Sequence, residues 1–186
     1  MNHTTLTTPV GPFTVVVDAA GTVTAAGFTA DPALLILNPA AWAAEPSAAA
    51  TAGLRRAVDA VTAYLAGELT ALDAVPVQAP ATSGPVLLAA WQALRKVPPG
   101  RPVTYTALAS AAGWPTAVRT AASACARNPV ALFVPCHRVV RTNGGLGGYR
   151  WGLSVKQWLL AHEQGAPSYS DSAVDMAASA VSGNGS

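Results

Sequence analysis

Acidic side chains are missing from nearly half of this chain. No Asp or Glu lies between Asp73 and Glu163, yet that interval holds Arg95, Lys96, Arg101, Arg119, Arg127, Arg138, Arg141, Arg150 and Lys156, nine of the eleven basic residues. A solvated surface mixes both signs, so a one-sign segment points to a polyanionic partner such as nucleic acid. The competing reading is chance in a chain with few charges, 11% in all. Cysteine is scarce as well. Cys125 and Cys136 alone exclude a disulfide framework and suit a reducing cytoplasm, and with His3 and His162 they show no zinc spacing. No metal or cofactor is therefore expected.

Long apolar runs are also wanting. The longest uncharged stretch, Ala74 to Leu94, is interrupted by Pro76, Pro80, Gly84 and Pro85, which argues against a membrane-spanning helix. The start, Met-Asn-His-Thr-Thr, lacks the basic residues and apolar run of an export signal. The glycine-rich stretch Asn143–Gly148 lacks the Lys-Ser/Thr of a P-loop. What the chain does have is apolar bulk: 51% hydrophobic residues over 186 positions and a mean hydropathy of +0.34. That is enough to bury a core in one ordinary domain or two small ones, and excludes wholesale disorder.

The pattern along the chain predicts two modules and a tail: an α/β module over 1–80, a mainly helical module over 81–166, and a disordered Ser/Ala/Gly tail over 167–186. Strand character runs over Phe13–Val17 and Thr22–Phe28 with a turn between them, followed by a loop over 31–46. A helix is predicted from Ala48 to Leu69 with Leu54, Val58, Val61 and Leu65 on its buried face. Further helices are expected over Pro85–Lys96, Thr104–Ala112 and Pro115–Arg127. The last two are joined by Gly113-Trp114, a spacing that suits a helix-turn-helix or a plain helical hairpin, with Arg119 in the first turns of the second helix favouring the former. Val130–Val134 reads as a short strand. A final helix spans Leu153–Glu163, with Ser154 and Gln157 at capping-box spacing.

Cys136 follows that strand between Pro135 and His137, with Arg138 beside it. Positive neighbours and a histidine favour the thiolate, the reactive form of cysteine. In an extended segment adjacent side chains diverge, so His137 reaches Cys136 only through a backbone turn or a bridging water. Glu163 shares or borders the Val155, Leu159 and His162 face of the last helix. It is either a buried partner that orients a histidine, completing a thiol–imidazole–carboxylate set, or a frayed helix end in solvent. Cys125 reads as a small core residue, and Trp91, Trp151 and Trp158 as core or loop anchors.

Taken together these residues resemble the O6-alkylguanine-DNA alkyltransferase family of bacterial type. The likeness rests on Asn128-Pro129, Val134-Pro135-Cys136-His137-Arg138-Val139-Val140, Gly148-Tyr149-Arg150-Trp151-Gly152 and Lys156 through Glu163 in register. Thr8-Pro9-Val10-Gly11-Pro12 and Tyr64–Glu68 add a looser match upstream. The resemblance implies a ribonuclease-H-like first module and a helix-turn-helix in the second. It implies direct-reversal DNA repair, in which Cys136 irreversibly accepts the alkyl group from O6-alkylguanine in flipped-out DNA; O4-alkylthymine is left open as a second substrate. His137 would activate the thiol through water, Glu163 would hold the imidazole, Asn128 would brace the turn, and Tyr105 would hydrogen-bond and help protonate the base. Pro135, Val139, Tyr149 and Arg150 would shape the base pocket. Arg119 would fill the gap left by the extruded nucleotide, with Pro115, Thr120 and Arg127 on the DNA-binding helix. The implied partner is double-stranded DNA bound by a monomer, with cooperative binding left open.

Two departures stand out. Val86–Trp91 replaces a stretch that usually begins Phe-Gln, and Thr120 stands where Ala commonly follows the arginine finger. The main rival is a non-enzymatic relative that flips and flags damaged bases without repairing them; such relatives lack the acceptor cysteine, and Cys136 is present. A sequence-specific transcription regulator predicts preference for a site rather than a lesion, and a cysteine hydrolase predicts turnover on esters or peptides.

Overall fold

β-Branched residues and two tight turns build the first element of the chain. The computed structural model describes residues 2–35, 47–78 and 84–165. Strands β1 (Asn2–Thr8), β2 (Gly11–Val17) and β3 (Val23–Gly27) form an antiparallel sheet in that order. β1 was absent from the sequence reading. Its run of threonines carries no apolar alternation, but it pairs with β2 along its full length, from Asn2 opposite Val17 to Thr8 opposite Gly11. The turn between them needs Gly11, whose φ of +112 falls where side chains rarely go.

The two faces of this sheet do different work. Phe13, Val15 and Val17 enter the main core, whereas Val16 and Ala25 pack with Leu35 and with Trp151 from the far end of the chain. Helix α1 (Ala48–Leu65) starts at Ser47, whose side chain accepts from the Ala50 amide, and stops before Gly67, where φ is +106 and the Glu68 amide closes onto the Ala63 carbonyl. The predicted end at Leu69 is thus four residues too late. The buried face is also displaced: Ala50, Gly53, Ala57, Ala60, Val61 and Tyr64 are buried, while Leu54, Val58 and Leu65 lie half-buried at its edge. Small residues win because the helix approaches the backbone of the β2–β3 turn, where a Cβ on Gly53 would collide with the backbone of Gly21.

Helix α2 (Pro85–Leu94) precedes a second, two-stranded parallel sheet of β4 (Val103–Thr104) and β5 (Val139–Val140). Thr104 caps helix α3 (Tyr105–Ala111) by accepting from the Ala107 amide. Helix α4 (Val118–Ala126) begins three residues later than predicted, because Trp114–Ala117 closes a turn of its own through the Ala117 amide and Trp114 carbonyl. The Trp91 indole donates to the Ala124 carbonyl at 2.9 Å and ties α2 to α4.

Helix α5 (Leu153–Glu163) closes the fold, with Gly152 at φ +98 before it. Ser154 therefore sits inside the first turn, and the expected Ser154–Gln157 capping box does not form. The buried residues of both halves make one continuous cluster, from Phe13 and Val61 to Leu94, Leu108 and Leu159. Among the described residues no helix is long and apolar enough to cross a membrane. The tail over 167–186 and most of the 31–46 loop lie outside the described residues.

Replacing Gly53 by alanine tests the helix–turn approach. In an open helix this change stabilises by up to about 1 kcal/mol. Here the added methyl meets backbone, so a net loss of about 1–3 kcal/mol is expected in urea unfolding. An unchanged or raised midpoint would show that α1 does not sit this close to Gly21.

Candidate active site

The segment after α4 is built by docking, not by pairing into a strand. Along the outer edge of β3, Val77 bridges Val23 and residues 129–131 lie further on: the Ala26 amide donates to the Pro129 carbonyl at 2.8 Å and the Ala131 amide to the Ala26 carbonyl at 2.9 Å. Of this segment Val130 alone forms a bridge. The predicted Val130–Val134 strand is instead a buried turn, which Leu132 enters at φ +66, the one non-glycine residue with positive φ among those described. That conformation costs about 1–2 kcal/mol, offset by complete burial of Leu132 and its neighbours. The chain then coils into a 3₁₀ turn, Cys136–Arg138, before β5. The turn lets neighbouring side chains diverge less than an extended segment would.

Asn128 holds this turn from inside. Its Nδ2 donates to the Val134 carbonyl at 2.7 Å and to Cys136 Sγ at 3.1 Å, while its Oδ1 accepts from the Val130 amide. Cys136 is 7% exposed. Burial pushes its thiol up, and the Asn128 donor and the charge of Lys156 pull the other way without prevailing. The expectation that Arg138 favours the thiolate is overturned. The Arg138 guanidinium faces Glu163 and the Val97 carbonyl instead. The cation acting on the thiol is Lys156, whose ammonium is buried on the carbonyls of Val139 and Leu146.

Glu163 is fully buried, not frayed into solvent, and four residues converge on its carboxylate. His137 Nε2 lies 2.8 Å from Oε1, Tyr64 Oη donates to Oε1 at 2.9 Å, Arg138 binds both oxygens at 2.9–3.1 Å, and the Gly100 amide reaches Oε2 at 3.2 Å. Burial alone would raise this carboxyl, but the hydrogen bonds and charges of His137 and Arg138 together outweigh it and hold it at about 2. Desolvation in turn lowers His137, against the pull of Glu163. A neutral imidazole beside an ionised carboxylate places its proton on Nε2. Nδ1 is left as a lone-pair acceptor, buried and with no protein partner.

Cys136 opens onto a cavity of about 660 Å³. Tyr105, Arg119, Tyr149 and Arg150 line it, as do Cys125 and Gly147. Tyr105 is half-buried with its hydroxyl near Gly147, and the Tyr149 hydroxyl is buried without a protein partner. Cys125 belongs to this wall as well as to the core. Burial pushes its thiol up to about 12. The remaining expected residues fall elsewhere. Pro135 and Val139 are buried behind the thiol, outside the cavity lining. Pro115 is exposed in the turn before α4, Arg127 is exposed at the C-terminal end of α4, and Thr120 is half-buried on it.

Tyr64 was the residue the sequence did not reveal as part of the site. It lies 99 positions from its partner Glu163. A tyrosine on the buried face of α1 must find an acceptor for its hydroxyl, and that need was the available signal.

The description of the family model matching residues 85–165 is 6-O-methylguanine DNA methyltransferase, DNA binding domain. Over 73 residues the chain is 59% identical to the bifunctional transcriptional activator/DNA repair enzyme Ada of Escherichia coli, a match spanning 39% of this chain and only 21% of that protein. Over 109 residues it is 40% identical to the methylated-DNA–protein-cysteine methyltransferase of Methanosarcina acetivorans, covering 59% of this chain and 68% of that protein. The crystal structure of Mycobacterium tuberculosis OGT in complex with DNA is similar at a TM-score of 0.72 and 32% identity, covering 89% of this chain and 94% of that one.

The carboxylate cluster predicts a pH signature. Glu163 has its folded value near 2 against an ordinary 4.5, so its stabilisation is complete above about 4.5 and is lost as pH falls toward 2. Glu163→Gln leaves Arg138 buried without a counter-charge and should cost about 3 kcal/mol at pH 7. The gap between variant and wild type should close between pH 4.5 and 2. Equal stability of the two proteins at pH 7 would mean the buried pair contributes nothing net.

Proposed function

Because the chain belongs to the 6-O-methylguanine DNA methyltransferase family, we propose that it repairs alkylated DNA directly, moving the alkyl group from guanine O6 to its own Cys136 in one irreversible turnover. The observation that carries this reading is the placement of Cys136. Its thiol is hydrogen-bonded to Asn128, opens onto a base-sized cavity, and stands next in sequence to a histidine fixed on a buried carboxylate.

The reaction follows from these groups. The resting thiol is protonated, since burial raises it. Its proton passes through one water to His137 Nδ1, the free acceptor, while Glu163 stabilises the imidazolium that forms. Cys136 Sγ attacks the alkyl carbon, the carbon–oxygen bond breaks, and the electron pair stays with guanine. Tyr105 donates a proton to the leaving base, and Tyr149 forms part of the wall beside it. A thioether is a poor leaving group, so Cys136 is not regenerated.

Such chemistry needs the base outside the duplex, because a stacked base cannot present its O6-alkyl carbon to a buried sulfur. In this reading α3 and α4 act as a helix-turn-helix, with Arg119 entering the duplex and Pro115, Thr120 and Arg127 meeting its backbone. The sheet and α1 form the ribonuclease-H-like first module, and residues 81–166 the acceptor module. Both thiols are free, as a reducing cytoplasm would keep them.

Incubation with a duplex containing O6-methylguanine, followed by intact-protein mass spectrometry and peptide mapping, tests the proposal. One methyl group on Cys136 with stoichiometric loss of the lesion is expected, and Cys136→Ser should bind the duplex without gaining mass. Unchanged mass from folded wild-type protein would sink the reading. Arg119→Ala separates base flipping from chemistry. It should slow transfer from duplex DNA by about tenfold or more and leave reaction with a free O6-alkylguanine base nearly unchanged. Equal slowing of both reactions would remove Arg119 from the finger role.

A further inference from the structure

We infer that the first module sets the position of the base-pocket wall through Trp151, whose indole is seated on the outer face of the N-terminal sheet at Gly27. One wall of the cavity is the continuous segment Gly147–Arg150. It belongs to no helix or strand, and Gly147 and Gly152 bracket it at positive φ. A segment of this kind has no backbone ladder to hold it, so its position depends on its side-chain anchors.

Those anchors lead to the first module. Gly27 lies opposite Thr14 and two residues from Ala25, which lies opposite Val16, so Ala25 and Gly27 face the same side of the sheet. Trp151 packs on Val16, Ala25 and Leu35. The indole also occupies the space that any side chain at 27 would need, and a Cβ built there would collide with the ring. Arg150 adds a second tie. Its guanidinium lies 5.0 Å from the Trp151 ring centroid, and its Nη2 donates to the Leu34 carbonyl at 2.9 Å. Trp151 itself does not line the cavity, so it is a positioning residue acting through Tyr149 and Arg150.

The inference rests on the alkyl-transfer reading, and its test separates the two. Single-turnover methyl transfer from duplex O6-methylguanine is compared with direct methylation of Cys136 by methyl iodide, which needs the thiol and no base pocket. Gly27→Val should slow the lesion reaction by about tenfold to a hundredfold and change the methyl iodide rate by less than about twofold. Adding Trp151→Ala removes the ring that the valine displaces, so the double variant should return to the rate of Trp151→Ala alone. Trp151→Ala by itself should also slow the lesion reaction, which covers the case in which Gly27→Val does not fold. Hydrogen exchange over residues 145–152 reads the brace without any reaction and should rise in both single variants. Parallel slowing of both reactions, a double variant slower than Trp151→Ala alone, or unchanged exchange would each overturn the brace. Wild-type protein inert to the lesion would overturn the function while the exchange result still decided the brace.

Discussion

The carboxylate of Glu163 is the constraint on which the rest of this structure is hung. It is the last residue of α5, yet it receives donors from α1 through Tyr64, from the α2–β4 connection through Gly100, and from the turn carrying the nucleophile through His137 and Arg138. A buried carboxylate without such donors would cost several kcal/mol. The four segments must therefore come together for any of them to be stable, and when they do the imidazole next to Cys136 has one tautomer and one orientation. Structure and chemistry share a single group here. His137 and Arg138 make that sharing work, because together they keep Glu163 ionised against its burial.

The thiol is governed by an opposite logic. A nucleophile left as a thiolate in the resting protein would react with any small electrophile, and one buried without help would not react at all. Burial raises Cys136, Asn128 and Lys156 lower it part of the way, and the free Nδ1 of His137 is available to finish the task. Lys156 supplies its charge while held on the carbonyls of Val139 and Leu146. With one side-chain donor, Asn128, on the sulfur, an ionised form is favoured only once its proton has somewhere to go.

How much of this could be read from the chain divides by distance along it. Cys136, His137 and Asn128 stand within ten residues, and local chemistry together with the family resemblance was enough to single them out. Glu163 could be placed on a face of α5, but facing core or solvent remained open until the fold brought Arg138 and Tyr64 to it. Arg138 was assigned to the thiol because adjacency is all a sequence offers, whereas the 3₁₀ turn rotates it toward α5. The helix faces show a similar limit. Periodicity favoured the large residues Leu54, Val58 and Leu65, but close approach to Gly21 selected the small ones between them. β1 left no trace because its partner's hydrogen bonds, rather than apolar alternation, make it a strand.

On the single-turnover proposal the nucleophile need not be reset, so the groups around the sulfur can be fixed as firmly as packing permits, and the cluster at Glu163 and the brace of Asn128 do this. Motion would then be needed only where an extruded nucleotide enters and leaves. The open side of the cavity is made of the Gly147–Arg150 segment and of α4, where Arg119 lines it beside the smaller Val118, Ala122, Cys125 and Ala126. Buried charge pairs thus hold the wall behind the sulfur, while the wall in front, without a backbone ladder, depends on its anchors through Trp151 and Arg150.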